Sequence, residues 1–88
     1  MANGKCEDMQ TRILNLKGTL YEGQAKFVNT QTQSGEITIL PGHRPIISVL
    51  KENSRIYLND EKDKRSDYEV KGGFLHLDDQ GSLNIMVD

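Results

Sequence analysis

Short apolar stretches alternate with turn residues along almost the whole chain, at a spacing that suits strands. Residues 12–16 read as a first strand stopped by Lys17-Gly18, and residues 19–22 as a second one ended by Gly23. Through residues 25–30, a period of two puts Ala25 and Phe27 on one face and Lys26 and Val28 on the other. Residues 31–35 are a polar turn, after which Ile37 and Ile39 face one way and Glu36 and Thr38 the other. Pro41-Gly42 breaks that strand. Residues 46–50, rich in β-branched side chains, are expected to be buried on both faces. Residues 53–59 alternate with Ile56 and Leu58 inward and Arg55, Tyr57 and Asn59 outward. Residues 60–67 hold seven charges and a serine, with signs that nearly cancel, as in a solvated hairpin loop. Alternation resumes at residues 68–71. It is interrupted at Gly72-Gly73, as at a bulge or a close backbone approach. It then continues with Leu75 and Leu77 opposite Phe74 and His76, and ends with Leu83, Ile85 and Val87 on one face. Phe27 and Phe74 both fall in patterns that favour burial.

No stretch of a dozen residues carries helical periodicity. Ser66 and Glu69 have the spacing of a capping box, but Gly72-Gly73 would fall inside the second turn of that helix. The pattern therefore predicts an all-β fold of eight to ten short antiparallel strands. One flat sheet with a buried face does not accommodate so many, so a two-sheet β-sandwich or flattened barrel follows. Residues 1–8, polar and carrying Gly4, read as a flexible lead-in, and residues 9–88 as the β-sandwich domain.

Composition narrows the function more than the fold. The chain has 88 residues, which is one small domain, with 11 basic against 13 acidic side chains and a net charge of −2. That balance argues against a nucleic-acid backbone as partner. The densest apolar patch is residues 46–50, far short of a membrane span, so no direct lipid insertion is expected. Cys6 has no second cysteine to pair with, and no signal peptide is visible, which suits a reducing compartment.

The chemistry of common active sites is missing. There is no phosphate loop, dinucleotide fingerprint, Cys-x-x-Cys or His-Glu-x-x-His pattern, so no catalytic residues, metal or cofactor are expected. His43 and His76 would serve a metal or a general base only if they converged with carboxylates such as Glu36 or Asp78; a surface or packing role is the plainer reading. Asp78-Asp79 before Gln80-Gly81 reads as turn chemistry. The unusual segment is residues 35–45, where a strand ends at Pro41 and Gly42 permits a sharp turn. His43 and Arg44 are presented there before Pro45 stiffens the exit. Polar-tipped loops on a β scaffold commonly carry binding residues.

Two motifs add a resemblance. Gly-Glu-Ile-x-Ile-Leu-Pro-Gly-His-x-Pro-Ile-Ile from Gly35, followed by Val70-Lys71-Gly72-Gly73-Phe74-Leu75, resembles the N-terminal β-sandwich of the epsilon-subunit family of F-type rotary ATP synthases, called delta in mitochondria. Tyr21-Glu22-Gly23 is similar to that family's aromatic-x-Gly, and residues 83–87 to its last strand. The resemblance implies a ten-stranded flattened barrel and a non-catalytic subunit at the foot of the central stalk. It also implies the gamma subunit and the c-ring as partners, with ring rotation coupled to ATP synthesis at the cytoplasmic face of a bacterial inner membrane. Carried over residue by residue, it implies ring contacts at Gly35 and Glu36 and gamma contacts at His43, Ser48 and Asn15. Thr38 departs from the glycine often found there. The family usually continues past the point matched by Asp88 into a helical hairpin, so neither nucleotide binding nor hairpin regulation is expected of these residues. The alternatives are a carbohydrate- or peptide-binding β-sandwich, which needs an exposed aromatic platform from only five aromatic residues without Trp, and a small metal enzyme using His43 and His76.

Overall fold

A computed structural model describes residues 8–88, so Cys6 and all but the last residue of the expected lead-in lie outside the described residues. Period-two alternation yields eight strands: β1 (Met9–Asn15), β2 (Gly18–Thr32), β3 (Gly35–Ile39), β4 (Ile46–Val49), β5 (Ser54–Asp60), β6 (Arg65–Val70), β7 (Gly73–Leu77) and β8 (Ser82–Val87). Their hydrogen-bonded order is β4-β7-β8-β1-β2-β5-β6, with β3 added beside β2. No helix occurs among the described residues.

β2 organises the sheet. One of its edges takes β1 over residues 18–25 and then β3 over residues 28–32; the other takes β5 over residues 25–30. Its first part thus belongs with β4, β7, β8 and β1, and its last part with β3, β5 and β6. The inward side chains of the two halves meet in one core. Ile13, Leu75, Leu77, Leu83 and Ile85 come from the first half and Val28, Ile39, Ile56 and Leu58 from the second, all essentially without solvent contact. Each such aliphatic side chain contributes about 1.5–3 kcal/mol by leaving water. A bridge between Thr32 and Leu50 ties one corner of the folded sheet, with the Gln33 N–H donating to the Val49 carbonyl (3.0 Å) and the Lys51 N–H to the Gln31 carbonyl (2.9 Å). The barrel does not close further.

The all-β sandwich is as the alternation predicts, with differences in detail. There are eight strands because the segments 19–22 and 25–30 are one continuous strand; Gly23 pairs with Thr11 and does not interrupt it. Not every pair is antiparallel: β1 and β8 run parallel, which places the first and last strands side by side. The expected loop at residues 60–67 is half strand, with residues 61–64 alone between β5 and β6.

Two burial expectations fail for physical reasons. A bulge between Ala25 and Phe27 adds one residue against β5, so Ala25 and Val28 both turn inward and Phe27 turns out, where it packs edge-on against Tyr57 (ring centroids 5.9 Å apart). β4 is an edge strand with only one face on the core, so Ile47 and Val49 are exposed, as is Phe74 opposite Val49.

Thr30 is the weak point of the core. Its side chain is fully buried between Ile37 and Ile56 across the ladders, and its hydroxyl has no hydrogen-bond partner among the described residues. Replacing it with valine keeps the shape and removes the desolvated oxygen. Thr30→Val is expected to stabilise the domain by about 1 kcal/mol, read as a higher urea midpoint at unchanged slope. A lower midpoint would contradict this account of the core.

Candidate functional site

Most of the tight turns are stitched by the side chain that opens them. Asn15 Oδ1 accepts the N–H of Lys17 (2.8 Å) and of Gly18 (3.0 Å). Thr32 Oγ1 accepts the Ser34 N–H (3.1 Å) and donates to the Gly35 carbonyl (2.8 Å). Asp60 Oδ1 accepts the N–H groups of Lys62 (2.8 Å) and Lys64 (2.9 Å), and Asp78 Oδ1 those of Gln80 and Ser82 (both 2.9 Å). Short polar side chains mimic a backbone turn in this way.

These bonds favour the ionised carboxylates. The Ser82 N–H above all, then the Gln80 N–H and the nearby His76, hold Asp78 below the ordinary carboxylate range; the Lys64 and Lys62 N–H groups do the same for Asp60. A folded-state pKa below the unfolded one contributes stability that is present above about pH 4 and is lost as pH falls through the lower folded value. The urea midpoint should therefore drop between pH 5 and pH 2. The double variant Asp60→Asn/Asp78→Asn, whose amide oxygens can still accept the same bonds, should drop less. Equal drops in both proteins would show that these turns are not the source.

The loop after β3 is rigid by construction. The His43 N–H donates to the Leu40 carbonyl at 3.0 Å, closing a four-residue turn with Pro41 second and Gly42 third. Gly42 has φ +88°, the left-handed value that a type II turn requires at that position. His43 is exposed, and its Nδ1 lies 2.7 Å from the Arg44 carbonyl oxygen. The loop packs beside the β7–β8 turn and the start of β1, bounding a shallow groove of about 480 Å³.

The other residues singled out by sequence are dispersed. Gly35 and Glu36 are exposed at the tip of the β2–β3 hairpin. Glu36 shares with Gln31, Asn53 and Lys71 a polar groove of about 740 Å³ over the outer face of the second half. Ser48 is half-buried in β4, in phase with inward-facing Ile46. Asn15 sits at the opposite end of the first half from His43, with its side-chain oxygen engaged in its own turn. His43, Ser48 and Asn15 thus all belong to the first half but do not form one cluster. No group of three or more His, Cys, Asp or Glu side chains converges among the described residues, and His43 and His76 are not brought together on carboxylates.

What the alternation does not single out is a row of apolar side chains on the outer face of the first half. Val49 pairs with Phe74, Phe74 with Met86, and Met86 with Leu14, across four neighbouring strands. Directly paired residues share a face of the sheet. Val49, Phe74 and Met86 are 51%, 48% and 41% exposed; Ile47 (72%) flanks the row, and Leu16 (99%) stands at the tip of the next turn. A contiguous apolar patch of this kind on a small protein marks an interaction surface. The signal is present in the chain as apolar residues in the outward phase of β4, β7 and β8. The polar groove and the apolar row lie on opposite faces of the sandwich.

The family model described as "ATP synthase, Delta/Epsilon chain, beta-sandwich domain" matches residues 8–88. Among curated relatives, the ATP synthase epsilon chain of Nocardia farcinica is 32% identical over 88 residues, which is all of this chain and 67% of that one. The epsilon chain of Corynebacterium aurimucosum is 28% identical, over 92% of this chain and 66% of its own. The epsilon chain of Mycobacterium bovis is 32% identical, over 84% of this chain and 61% of its own. The chain therefore spans about two thirds of the length of these relatives. Of solved structures, a chain of the Euglena gracilis mitochondrial ATP synthase (OSCP/F1/c-ring, rotational state 1) superposes with a TM-score of 0.85 at 20% identity, covering 99% of this chain and 55% of that one. A chain of the Tetrahymena thermophila mitochondrial ATP synthase central stalk and c-ring gives 0.73 at 16% identity, covering 94% and 65%. At those identities the two structures establish a shared fold.

Proposed function

The chain belongs to the family of ATP synthase delta/epsilon β-sandwich domains, and from that membership we propose that it is a non-catalytic central-stalk subunit that bridges the gamma subunit and the c-ring. The observation that carries this reading is the apolar row Val49–Phe74–Met86–Leu14, which lies outside the buried core, is left uncovered by the described residues and is the right chemistry for a lasting protein interface. Gamma docks on that face, with the His43 turn, the β4 edge holding Ser48 and the Asn15 turn at its rim. The ring's polar loops meet the opposite, hydrophilic side at Gly35 and Glu36. Two faces of opposite character on one sandwich suit a subunit that couples ring rotation to ATP synthesis.

The curated relatives are bacterial epsilon chains, which supports a peripheral position on a membrane-bound synthase at the cytoplasmic face of the inner membrane. Among the described residues no helix is long and apolar enough to cross a membrane; in the proposed role the domain is attached through the ring. Calorimetric titration of the chain into the gamma subunit of the same synthase should show binding at micromolar concentration or tighter. Glu36→Ala should leave that binding and the circular dichroism spectrum unchanged while weakening retention on the detergent-solubilised ring. Absence of any gamma binding at tens of micromolar would sink the proposal.

A further inference from the structure

We propose that His43 is locked as its Nδ1–H tautomer and presents Nε2 as a hydrogen-bond acceptor to an N–H or O–H donor on gamma, the second half of this resting on the docking role proposed above. The donor role of Nδ1 is settled by elementary chemistry. A backbone carbonyl carries no proton, so the 2.7 Å contact between Nδ1 and the Arg44 oxygen is a bond only if Nδ1 is the donor. The hydrogen bond made by one imidazole nitrogen decides which tautomer is present. Neutral imidazole ordinarily favours the proton on Nε2, so the loop selects the less common form.

The backbone around the ring holds this choice. His43 closes the Leu40 turn through its own N–H, Pro41 and Pro45 fix φ on either side, and Gly42 occupies the left-handed position between them. With Nδ1 committed and the side chain exposed, Nε2 is the one ring nitrogen left to face a partner, and in the neutral ring it can only accept. Gamma must then supply a donor there, such as a guanidinium, an ammonium, an amide or an indole N–H. A carboxylate or carbonyl in that place would meet a lone pair.

The lock is measurable on the chain alone. Long-range proton–nitrogen correlation spectra of the ¹⁵N-labelled chain at pH 8.5 should show a protonated Nδ1 and an unprotonated Nε2 for His43, with His76, exposed on β7, as the internal comparison. A predominant Nε2–H pattern, or the mixture given by free histidine, would overturn it. The acceptor role is read from His43→Asn, whose amide can still donate to the Arg44 carbonyl but places nothing at Nε2. Its affinity for gamma should fall about three- to ten-fold, the effect of losing one hydrogen bond, with an unaltered circular dichroism spectrum. Unchanged affinity would overturn the acceptor role while leaving the tautomer result intact. Failure of the unmodified chain to bind gamma would overturn the docking role together with the acceptor, and the spectra of the free chain would still decide the lock.

Discussion

Gly73→Ala is expected to destabilise the domain by about 3–5 kcal/mol, enough to leave much of a protein this size unfolded at room temperature. Two independent costs combine at this position. Gly73 opens β7 with φ +145°, a backbone value that side chains rarely adopt. A Cβ built there would fall on the carbonyl oxygen of Met86 and lie 2.9 Å from the Cα of Val87. Those atoms belong to the backbone of β8, which pairs with Gly73 through Val87, so they cannot move aside without breaking the ladder. The neighbouring Gly72 is the control. A Cβ on Gly72 would meet only Asp88 Oδ2 at 3.5 Å, an ordinary contact, and its φ is not in the left-handed region. Gly72→Ala should therefore lie within about 1 kcal/mol of the unmodified protein. Urea titration followed by circular dichroism separates the two; equal stability of the two variants would refute the close-approach account.

Phe74→Glu should have the opposite profile, with the fold intact and the partner lost. The side chain is half in solvent on the outer face and is not part of the core, so the thermal midpoint should move by only a few degrees. Phe74 lies between Val49 and Met86 in the apolar row, and a carboxylate at the centre of a desolvated interface is left unpaired. Central interface residues contribute about 2–4 kcal/mol, so the affinity for gamma should fall by about 30- to 1,000-fold. Arg55→Ala, on the outer face of the other half, should leave that affinity within about three-fold, as expected for a residue away from the interface. If Phe74→Glu bound gamma normally, the docking face would have to be sought elsewhere.

Much of this architecture is legible in the sequence because its rule is local. Period-two alternation places Ile56 and Leu58 inside and Arg55, Tyr57 and Asn59 outside, and the structure agrees at each of these positions apart from the partial cover of Tyr57 and Asn59. Gly72-Gly73 reads as a close backbone approach, and the Met86–Val87 backbone at Gly73 is that approach. Asp78 reads as a turn former and bonds two turn amides. The failures are non-local. The bulge after Ala25 depends on how β5 lies against β2, and it reverses the face of Phe27. The exposure of Ile47 and Val49 follows from β4 having only one face on the core and no layer of the described residues over the other, which is a matter of topology and not of its own composition. The parallel pairing of β1 with β8 joins the two ends of the domain and leaves no trace in either strand. The apolar row is assembled from four strands, one or two residues from each, so no single segment announces it.

The continuity of β2 has a mechanical meaning. Where two β layers touch only through side chains, force passes between them across van der Waals contacts. Here a single strand of fifteen residues, Gly18–Thr32, is a member of both halves. In the proposed role, a twist entering at the Glu36 hairpin passes from β3 into the last part of β2 and along its covalent backbone to the first part. From there it crosses the hydrogen-bonded ladders of β1, β8 and β7 to the face that holds gamma. The compliance of that path is set by bond torsions and ladder hydrogen bonds, and a domain with little core to spare becomes a stiff shaft coupling.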